Sequence, residues 1–319
     1  MSQRPILITG GSGFLGARMA RHILERSPDT PVLLTDIVRH PRTASLQGQA
    51  AFVPADLSDP QACLDLLTAD TGAVYHFASL VLGGAERNFL AGLNANVRAT
   101  INLLEACRTK GACPRFFFAS SIATFGGEGL PKVVDDWTHQ HPQNSYGVAK
   151  VIGEQLLNDY SRKGYVDGRA MRLPAIVVRD EPNTAASGYT SGLIREPLGG
   201  REYVCPVSSG ARIPILDWAA CLGLIALLME LPPSALGDFR TINCPSISPA
   251  ARDIAESVLR RKQTGMGRIS FRPDPGVASL VATWPEQMLA RRAAQLGLHA
   301  SSTVDTIIDE YLEDAGTPN

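Results

Sequence analysis

Short apolar runs and amphipathic stretches alternate along the first half of the chain. The apolar runs are rich in β-branched and aromatic residues and end at turn residues, which predicts strands at residues 5–10, 32–36, 51–56, 73–79, 115–121 and 169–178. Between them, apolar residues recur at helical spacing over residues 15–26, 60–68, 91–110 and 146–163. Strands that are buried on both faces and joined by helices predict a doubly wound, mainly parallel α/β sheet.

The pattern changes after about residue 179. Glycine- and proline-rich loops there enclose shorter helical stretches, at residues 191–198, 218–229, 250–261, 286–294 and 304–313. We therefore expect a doubly wound domain over residues 1–178. A smaller mixed α/β region is expected over residues 179–319, interleaved with the first domain.

Composition narrows the class of protein. The 319 residues are 45% hydrophobic, which is enough for a large core, and a net charge of −1 favours neither nucleic acid nor an anionic membrane as partner. The longest apolar run, CLGLIALLM, is too short to span a membrane, and the N-terminus lacks the pattern of a signal peptide. Six scattered cysteines without a C-x-x-C pair predict reduced thiols, no metal site and a cytoplasmic protein.

A glycine-rich turn follows the first predicted strand. ILITGGSGFLG places Gly10, Gly13 and Gly16 where backbone amides and a helix N-terminus can approach a pyrophosphate. Asp36 ends the second strand, where a carboxylate accepts hydrogen bonds from ribose hydroxyls and repels a 2′-phosphate. The glycines alone also fit an ordinary turn. Together with Asp36 they predict a Rossmann domain that binds NAD in preference to NADP.

Two further strand ends carry residues with open roles. Asp56 and Leu57 fit contact with an adenine, but Asp56 fits a turn or a helix cap almost equally well. His76 lies in the fourth predicted strand, where a core position explains it more simply, and we assign it no catalytic role.

Tyr146 and Lys150 stand one helical turn apart in the stretch SYGVAK. Tyrosine is a poor base at neutral pH because its pKa is about 10, and a cation at i+4 lowers that pKa by stabilising the phenolate. FFFASS brings Ser120 and Ser121 to the carboxyl end of the fifth strand, where a hydroxyl can bond to a substrate oxygen. A surface Tyr/Lys pair, with turn capping by serine, is the alternative interpretation, and capping fits Ser120 better than Ser121.

Several motifs together resemble the extended short-chain dehydrogenase/reductase family. They occur in order over the first 150 residues: TGGSGFLG, Asp36, ADL (55–57), HFAS (76–79), Asn96, SSIATFG (120–126) and SYGVAK (145–150). The resemblance implies that Ser121, Tyr146 and Lys150 are catalytic. It further implies an NAD site formed by Gly10, Gly13, Phe14, Leu15, Gly16, Asp36, Asp56, Leu57, Phe77, Ala78, Ser79, Asn96, Tyr146, Lys150, Pro174 and Ile176. Asn96 fits equally well a buried polar residue that is bonded to backbone groups.

The second half resembles the D-erythronate dehydrogenase branch of that family, over residues 145–179 and 182–207 and more weakly at 273–275, 284–285 and 290–298. The branch oxidises a four-carbon sugar acid with NAD. The chain departs from the branch at Leu82, Asp180–Glu181 and Asp217–Trp218. The resemblance implies oxidation of the C2 hydroxyl of a small sugar acid to the 2-keto acid. The alternatives are a nucleotide-sugar epimerase or dehydratase, a reductase of less polar carbonyls, and a non-catalytic dinucleotide sensor. Nucleotide-sugar members carry an asparagine where Ala175 stands.

A sugar acid requires a pocket for its carboxylate, and the planar fork of an arginine suits that role. We expect Arg179 and Arg195 to bind it, with Ser121, Asn183, Ser187 and Thr190 as polar contacts. Pairing of Arg195 with Glu196 is an equally good interpretation. In relatives, the helices corresponding to residues 91–110 and 146–163 form a four-helix interface between subunits, so the resemblance also implies a homodimer.

Overall fold

The computed structural model describes residues 4–181, 186–261 and 264–316. The chain forms two compact units. The first unit consists of Met1–Thr124, Pro142–Arg172 and Ile225–Ile242, and the second of Phe125–His141, Leu173–Leu224 and Asn243–Asn319. Each unit takes segments from both sides of residue 178, where the sequence analysis placed the domain boundary.

The strands of the described chain form one large sheet and three small ones. They are β1 (Ile6–Thr9), β2 (Val32–Asp36), β3 (Ala51–Pro54), β4 (Ala73–His76), β5 (Arg115–Ser121), β6 (Val133–Val134), β7 (Asp167–Leu173), β8 (Ala175–Val177), β9 (Tyr203–Cys205), β10 (Ile215–Asp217), β11 (Thr241–Asn243), β12 (Ile269–Phe271) and β13 (Gln287–Met288). The large sheet has seven strands in the order β11-β7-β5-β4-β1-β2-β3.

Parallel pairing joins β3, β2, β1, β4 and β5, with Ile6 of β1 opposite Val32 on one side and Ala73 on the other. The strand order reverses at β1, because β2 follows it on one side and β4 on the other. In sheets of this kind the crevice for a ligand opens at the carboxyl ends of the strands next to the reversal. The predicted doubly wound α/β fold class is confirmed.

Helices connect these strands. They are α1 (Phe14–Arg26), α2 (Pro60–Leu66), α3 (Leu82–Arg87), α4 (Phe89–Leu93), α5 (Ala99–Lys110), α6 (Ser145–Arg162), α7 (Gly188–Leu198), α8 (Trp218–Glu230), α9 (Pro233–Leu236), α10 (Ala251–Arg260), α11 (Pro275–Val281), α12 (Arg291–Gln295) and α13 (Val304–Gly316). Short 3-10 turns lie at Pro41–Leu46 and Ile122–Thr124, and a π-helical turn, Asn94–Arg98, leads into α5.

The core of the first unit packs the sheet against α2, α5 and α6. Leu7, Val74 and Phe118 of the strands lie in one buried cluster with Leu103 of α5 and Leu157 of α6. Burial of each such side chain contributes roughly 1.5–3 kcal/mol. Gly153 allows α6 to approach β5 closely, since a Cβ atom there would lie 2.3 Å from the Phe118 ring.

The core of the second unit forms around α7, α10 and α13. Leu193, Ile254 and Ile308 of these helices are at most 1% exposed. They share one buried cluster with Val177 of β8 and Ile215 of β10, two strands that pair in parallel.

Two predicted elements differ from the structure. The predicted strand at residues 169–178 is two strands, because Pro174 has no amide hydrogen for the ladder; the chain then pairs β8 with β10 in a separate sheet. The predicted helix at residues 286–294 was wrong in its first half. Gln287 and Met288 form β13, which pairs with β6, and the helix begins only at Arg291. This tertiary pairing overrides an apolar spacing that fits a helix.

Candidate active site

The glycine turn between β1 and α1 packs so tightly against neighbouring backbone that Gly10 and Gly16 have no room for a side chain. Gly10 has a φ of 65°, and a Cβ atom there would lie 2.6 Å from the Ala78 amide nitrogen. At Gly16 a Cβ atom would lie 2.2 Å from the Gly10 carbonyl oxygen. Gly13 is the N-cap of α1 and the cap involves no side-chain hydrogen bond. The turn therefore presents backbone at the N-terminus of a 13-residue helix, where anions bind favourably.

Asp36 lies at the end of β2 beside this turn. Its Oδ2 accepts a hydrogen bond from the Ser12 amide at 3.1 Å, and its Oδ1 accepts one from the Ile37 amide at 2.9 Å. Phe14 of the turn is buried, with the Arg18 guanidinium 4.3 Å from its ring centre. The structure thus brings Asp36 together with the glycine turn, as the sequence predicts.

The ends of β3 and β4 carry the next predicted cofactor residues. Asp56 accepts a hydrogen bond from the Ser58 amide at 2.9 Å, the turn role that the sequence left open, while Leu57 is 6% exposed and belongs to the core. Ala78 lies against Gly10 and donates its amide to the Thr9 hydroxyl at 3.3 Å. The Phe77 ring stacks with that of Tyr75, the ring centres being 6.5 Å apart.

Asn96 fixes the loop after β4. Its Oδ1 accepts hydrogen bonds from the Leu80 amide at 2.7 Å and from the Ser79 hydroxyl at 3.1 Å, and its Nδ2 donates to the Leu80 carbonyl at 2.9 Å. Asn96 is 4% exposed and lies in the π-helical turn. The loop-anchoring role that the sequence left open is therefore present in the structure.

His76 supports the same sheet edge from within. Its Nδ1 lies 2.7 Å from the Thr9 hydroxyl and its Nε2 lies 3.0 Å from the Thr100 hydroxyl. Burial, with the nearby Lys150 charge, lowers the pKa of His76 to about 3, so the ring is neutral at physiological pH. His76 is therefore a neutral core residue with two hydrogen bonds, as expected from its position in the fourth predicted strand.

Tyr146 and Lys150 occupy the first turns of α6, which Asn144 caps by accepting a hydrogen bond from the Gly147 amide at 2.7 Å. The Lys150 Nζ lies 5.3 Å from the centre of the Tyr146 ring and 4.8 Å from that of Phe118 on β5. Lys150 is 3% exposed, whereas Tyr146 is half-buried. The predicted Tyr/Lys pair is therefore a buried cation next to a phenol, and the surface alternative does not hold for Lys150.

Burial strongly affects the charge of Lys150. Desolvation lowers its pKa to about 7, and the Glu154 carboxylate one helical turn further on opposes that shift. A lysine in this state is readily tuned by neighbouring charges at neutral pH.

Ser121 ends β5 and is followed directly by the 3-10 turn Ile122–Thr124. Its Oγ accepts a hydrogen bond from the Ala123 amide at 3.1 Å. Gly147 packs α6 against this turn, because a Cβ atom at Gly147 would lie 2.0 Å from the Ala123 carbonyl oxygen. Ser121 and Tyr146 therefore lie on two segments in direct contact.

Sequence reasoning missed a buried ion pair beneath these residues. Glu154 and Arg172 are at most 1% exposed and bond at 2.8 Å, and the Ser120 hydroxyl donates to Glu154 at 2.5 Å. The available signal was the spacing of Tyr146, Lys150 and Glu154, which continue on one helix face at i, i+4 and i+8.

Apart from Ser121, the described residues that were predicted to bind substrate lie in the second unit. Arg195 is 7% exposed, pairs with Glu196 at 2.7 Å and donates to the Arg179 carbonyl at 2.8 Å. Thr190 donates its hydroxyl to the Ser187 carbonyl at 2.8 Å. Pro174 and Ile176, expected at the cofactor, are buried in the same unit. Asn183 lies outside the described residues. Arg195 can therefore bind a substrate only while it also remains paired with Glu196.

Asp217, a departure from the resembling branch, has a structural role. Its Oδ1 accepts a hydrogen bond from the Ala220 amide in the first turn of α8, at 2.6 Å, and its Oδ2 accepts one from the Ser302 hydroxyl at 2.5 Å. Asp217 therefore caps the start of α8 and connects it to Ser302.

Metal-binding and membrane-spanning features are both lacking from residues 4–181, 186–261 and 264–316. Within these ranges, no group of three or more His, Cys, Asp or Glu side chains could hold a metal ion. No helix in the same ranges combines the length and apolar character that a membrane span requires.

The residues of the glycine turn fit a dinucleotide. The close contacts at Gly10 and Gly16 leave the turn to backbone alone, α1 begins without a side-chain cap, and Asp36 lies next to the turn. These are the features that hold a pyrophosphate and a ribose.

The chain is similar to several known proteins. Residues 6–212 match the profile of the NAD dependent epimerase/dehydratase family. The chain is 42% identical to the D-erythronate dehydrogenase of Cupriavidus necator over 98% of both chains, and 35% identical to that of Haemophilus influenzae over 97% of this chain and 98% of the relative. A crystal structure of a nucleoside-diphosphate-sugar epimerase from Agrobacterium tumefaciens matches with a TM-score of 0.92 at 31% identity, covering 99% of this chain and 96% of the other.

The two D-erythronate dehydrogenases match over nearly the whole chain, and together with the family profile they confirm the resemblance that the motifs of the first 150 residues indicated. The chain belongs to the NAD dependent epimerase/dehydratase family, within the extended short-chain dehydrogenases/reductases.

Proposed function

We propose that this protein is an NAD-dependent dehydrogenase that oxidises the C2 hydroxyl of a small sugar acid, similar to D-erythronate, to the 2-keto acid. The observation that carries the proposal is the buried Lys150 ammonium 5.3 Å from the Tyr146 ring, one helical turn along α6. The identity of 42% and 35% to two D-erythronate dehydrogenases supports the substrate class.

In this proposal Tyr146 takes the proton of the substrate hydroxyl. The charged Lys150 stabilises the phenolate, and Ser121 donates a hydrogen bond to the substrate oxygen from the adjoining turn. The glycine turn and Asp36 hold the cofactor, and Ala78 and Asn96 shape the loop beside it. NAD bound at this turn would supply the acceptor for the hydride that leaves C2. Oxidation should accelerate with rising pH as Tyr146 loses its proton.

The preference for NAD rests on Asp36. A 2′-phosphate placed near this carboxylate would be repelled, whereas the hydroxyls of an unmodified ribose would donate to it. A cytoplasmic location and a homodimer, both expected from the sequence, belong to the same proposal.

We assign the substrate carboxylate to Arg195 and Arg179. Arg195→Ala should raise the KM for the sugar acid more than for a neutral secondary alcohol, since only the acid loses an ionic partner. Arg201→Ala is the matched control, because Arg201 also bonds to Glu196 but is exposed. Equal effects of Arg195→Ala on both substrates would remove Arg195 from the pocket.

A nucleotide-sugar epimerase is the second candidate. The match at 31% identity and a TM-score of 0.92 to a structure described as a nucleoside-diphosphate-sugar epimerase favours it. Ala175 argues against the epimerase, since family members that act on nucleotide sugars often carry an asparagine at this position.

The deciding experiment presents NAD with D-erythronate, with L-threonate and with a nucleotide sugar, and follows absorbance of the reduced cofactor. Net reduction with a sugar acid supports the dehydrogenase. Conversion of the nucleotide sugar without net reduction of NAD would establish the epimerase instead. NADP in place of NAD tests the cofactor preference in the same assay.

A further inference from the structure

A buried polar cluster includes the residue one helical turn beyond Lys150 on α6. We define it as the Glu154 cluster: Ser120 at the end of β5, Glu154 on α6 and Arg172 on β7. The Arg172 guanidinium donates from Nε to Glu154 Oε1 at 3.0 Å and from Nη2 to Oε2 at 2.8 Å. Ser120 donates its hydroxyl to Oε1 at 2.5 Å. All three residues are at most 2% exposed.

Stability alone is a weak reason for such a cluster. A buried ion pair loses about as much by desolvation as it gains by attraction, and apolar residues of similar volume often serve as well. The position of the cluster suggests a different purpose. Glu154 is one helical turn from Lys150 and two turns from Tyr146. Ser120 immediately precedes Ser121 in β5.

We propose that the Glu154 cluster is a positioning device of the reaction: Glu154 favours the charged form of Lys150, and its bond to Ser120 fixes the strand end that carries Ser121. This inference rests on the proposed function, since it concerns the same Ser121, Tyr146 and Lys150. Glu154 touches neither substrate nor cofactor in this account and acts through Lys150.

The charges around Lys150 make this role specific. On α6 it faces Tyr146 and Glu154, on β5 the uncharged Phe118 ring, and on β4 the neutral His76. Arg172 of β7 bonds to Glu154, and Phe239 lies over its guanidinium at 5.8 Å. The Glu154 carboxylate is thus the negative charge that opposes the desolvation of Lys150.

The test replaces Glu154 by Gln in the full-length protein and follows the titration of Tyr146. Phenolate absorbance is recorded against pH for each protein and for its Tyr146→Phe counterpart, and the difference gives the midpoint of Tyr146. Acting through Lys150, the loss of the Glu154 charge should raise this midpoint by about one pH unit. A direct effect of removing a negative charge would lower the midpoint. The direction of the midpoint shift therefore distinguishes an effect through Lys150 from a direct effect of Glu154. An unchanged or lowered midpoint overturns the proposal.

Two conservative variants serve as controls. Glu154→Asp keeps the charge and should return the midpoint to near that of the wild type. Ser120→Ala also keeps the Glu154 charge. It should leave the Tyr146 midpoint unchanged while lowering kcat. A shift in Ser120→Ala as large as in Glu154→Gln would show that the charge is not the cause and overturn the assignment.

Glu154→Gln leaves Arg172 as an unpaired buried charge, which destabilises proteins strongly. The double variant Glu154→Gln with Arg172→Met removes both charges, and the titration midpoint of Tyr146 should still rise, by less than in Glu154→Gln alone. A double variant whose midpoint does not rise overturns the proposal. The titration needs no substrate, so it still decides this inference if no sugar acid is oxidised. With an active enzyme, the rising limb of kcat/KM against pH should move together with the midpoint.

Discussion

Asp36 illustrates how one side chain can set cofactor choice. Its two oxygens accept hydrogen bonds from the Ser12 and Ile37 amides, which hold the carboxylate beside the glycine turn. A negative charge fixed in this way attracts ribose hydroxyls and repels a phosphate. Charge-assisted hydrogen bonds of this kind contribute roughly 1.5–3 kcal/mol.

Asp36→Asn should therefore weaken the use of NAD by about tenfold in kcat/KM and improve the use of NADP by a similar factor. Initial rates with both cofactors measure the change. Asp29→Asn, an exposed position in the loop between α1 and β2, is the control and should leave both values unchanged. A variant at Asp36 with an unaltered NADP/NAD ratio would contradict the assignment.

At the scale of elements, the contact between α6 and the turn after β5 sets the reacting geometry. The helix carries Tyr146 and Lys150, the strand end carries Ser121, and Gly147 permits the two to touch. Since the Ala123 carbonyl leaves no room for a Cβ atom at Gly147, any side chain there must push the helix away.

We expect Gly147→Ala to lower kcat by about 100-fold or more, because misplacement by about 1 Å costs that much. Steady-state kinetics measure the loss, and circular dichroism shows whether the fold persists. Gly223→Ala in α8 is the control for a glycine substitution outside α6, since a Cβ atom there would meet nothing within 4 Å. Near-normal turnover in Gly147→Ala would mean that this contact does not position Tyr146.

Local sequence signals predicted the elements around the site well. The strand ends at Asp36 and Ser121 and the helix with Tyr146 agree with the structure, because strand-turn-helix units leave strong periodicity and glycine signals. The β13 strand and the pairing of β8 with β10 after Pro174 depend on partners distant in sequence. Local spacing contains no information about such pairings.

The site shows the same limit. Asn96 remained ambiguous because the loop it binds, at Ser79 and Leu80, is brought to it by the fold. The Arg172 partner of Glu154 lies on another strand, so neither residue stood out along the chain. Residues that act through contacts on other elements require the structure.

At the scale of the whole molecule, a pair of carboxyl groups should couple stability to pH. Burial, followed by the charge of Asp217 nearby, raises the pKa of Glu310 on α13 to about 7. The folded protein then binds a proton more tightly than the unfolded chain. Stability is fully present below the unfolded pKa of about 4.5 and declines as pH rises toward 7.

Glu310→Gln should remove this decline and increase the free energy of unfolding at pH 8 by about 1 kcal/mol, after allowance for solvent screening. Urea unfolding at pH 5 and pH 8 measures the difference. Glu256→Gln, an exposed position on α10, is the control. An equal loss of stability between these pH values in wild type and Glu310→Gln would exclude this pair as the cause.

Assembly can be tested at the same scale. Ile101 of α5 and Ile152 of α6 are each 37% exposed, and Val148 of α6 is 43% exposed. If these helices pair with a second copy, Ile152→Asp should shift the protein from dimer to monomer size in gel filtration. Val204→Asp, an exposed apolar position on β9, should not. A wild-type protein that elutes as a monomer would contradict the homodimer.

The role of Tyr146 as the base is tested by measuring the reduction of NAD by D-erythronate in the Tyr146→Phe variant. If a phenolate beside Lys150 takes the substrate proton, turnover should fall by roughly 10²–10⁴-fold while NAD binding is retained. Turnover within about twofold of the wild type would show that the proton leaves by another route and would contradict the account.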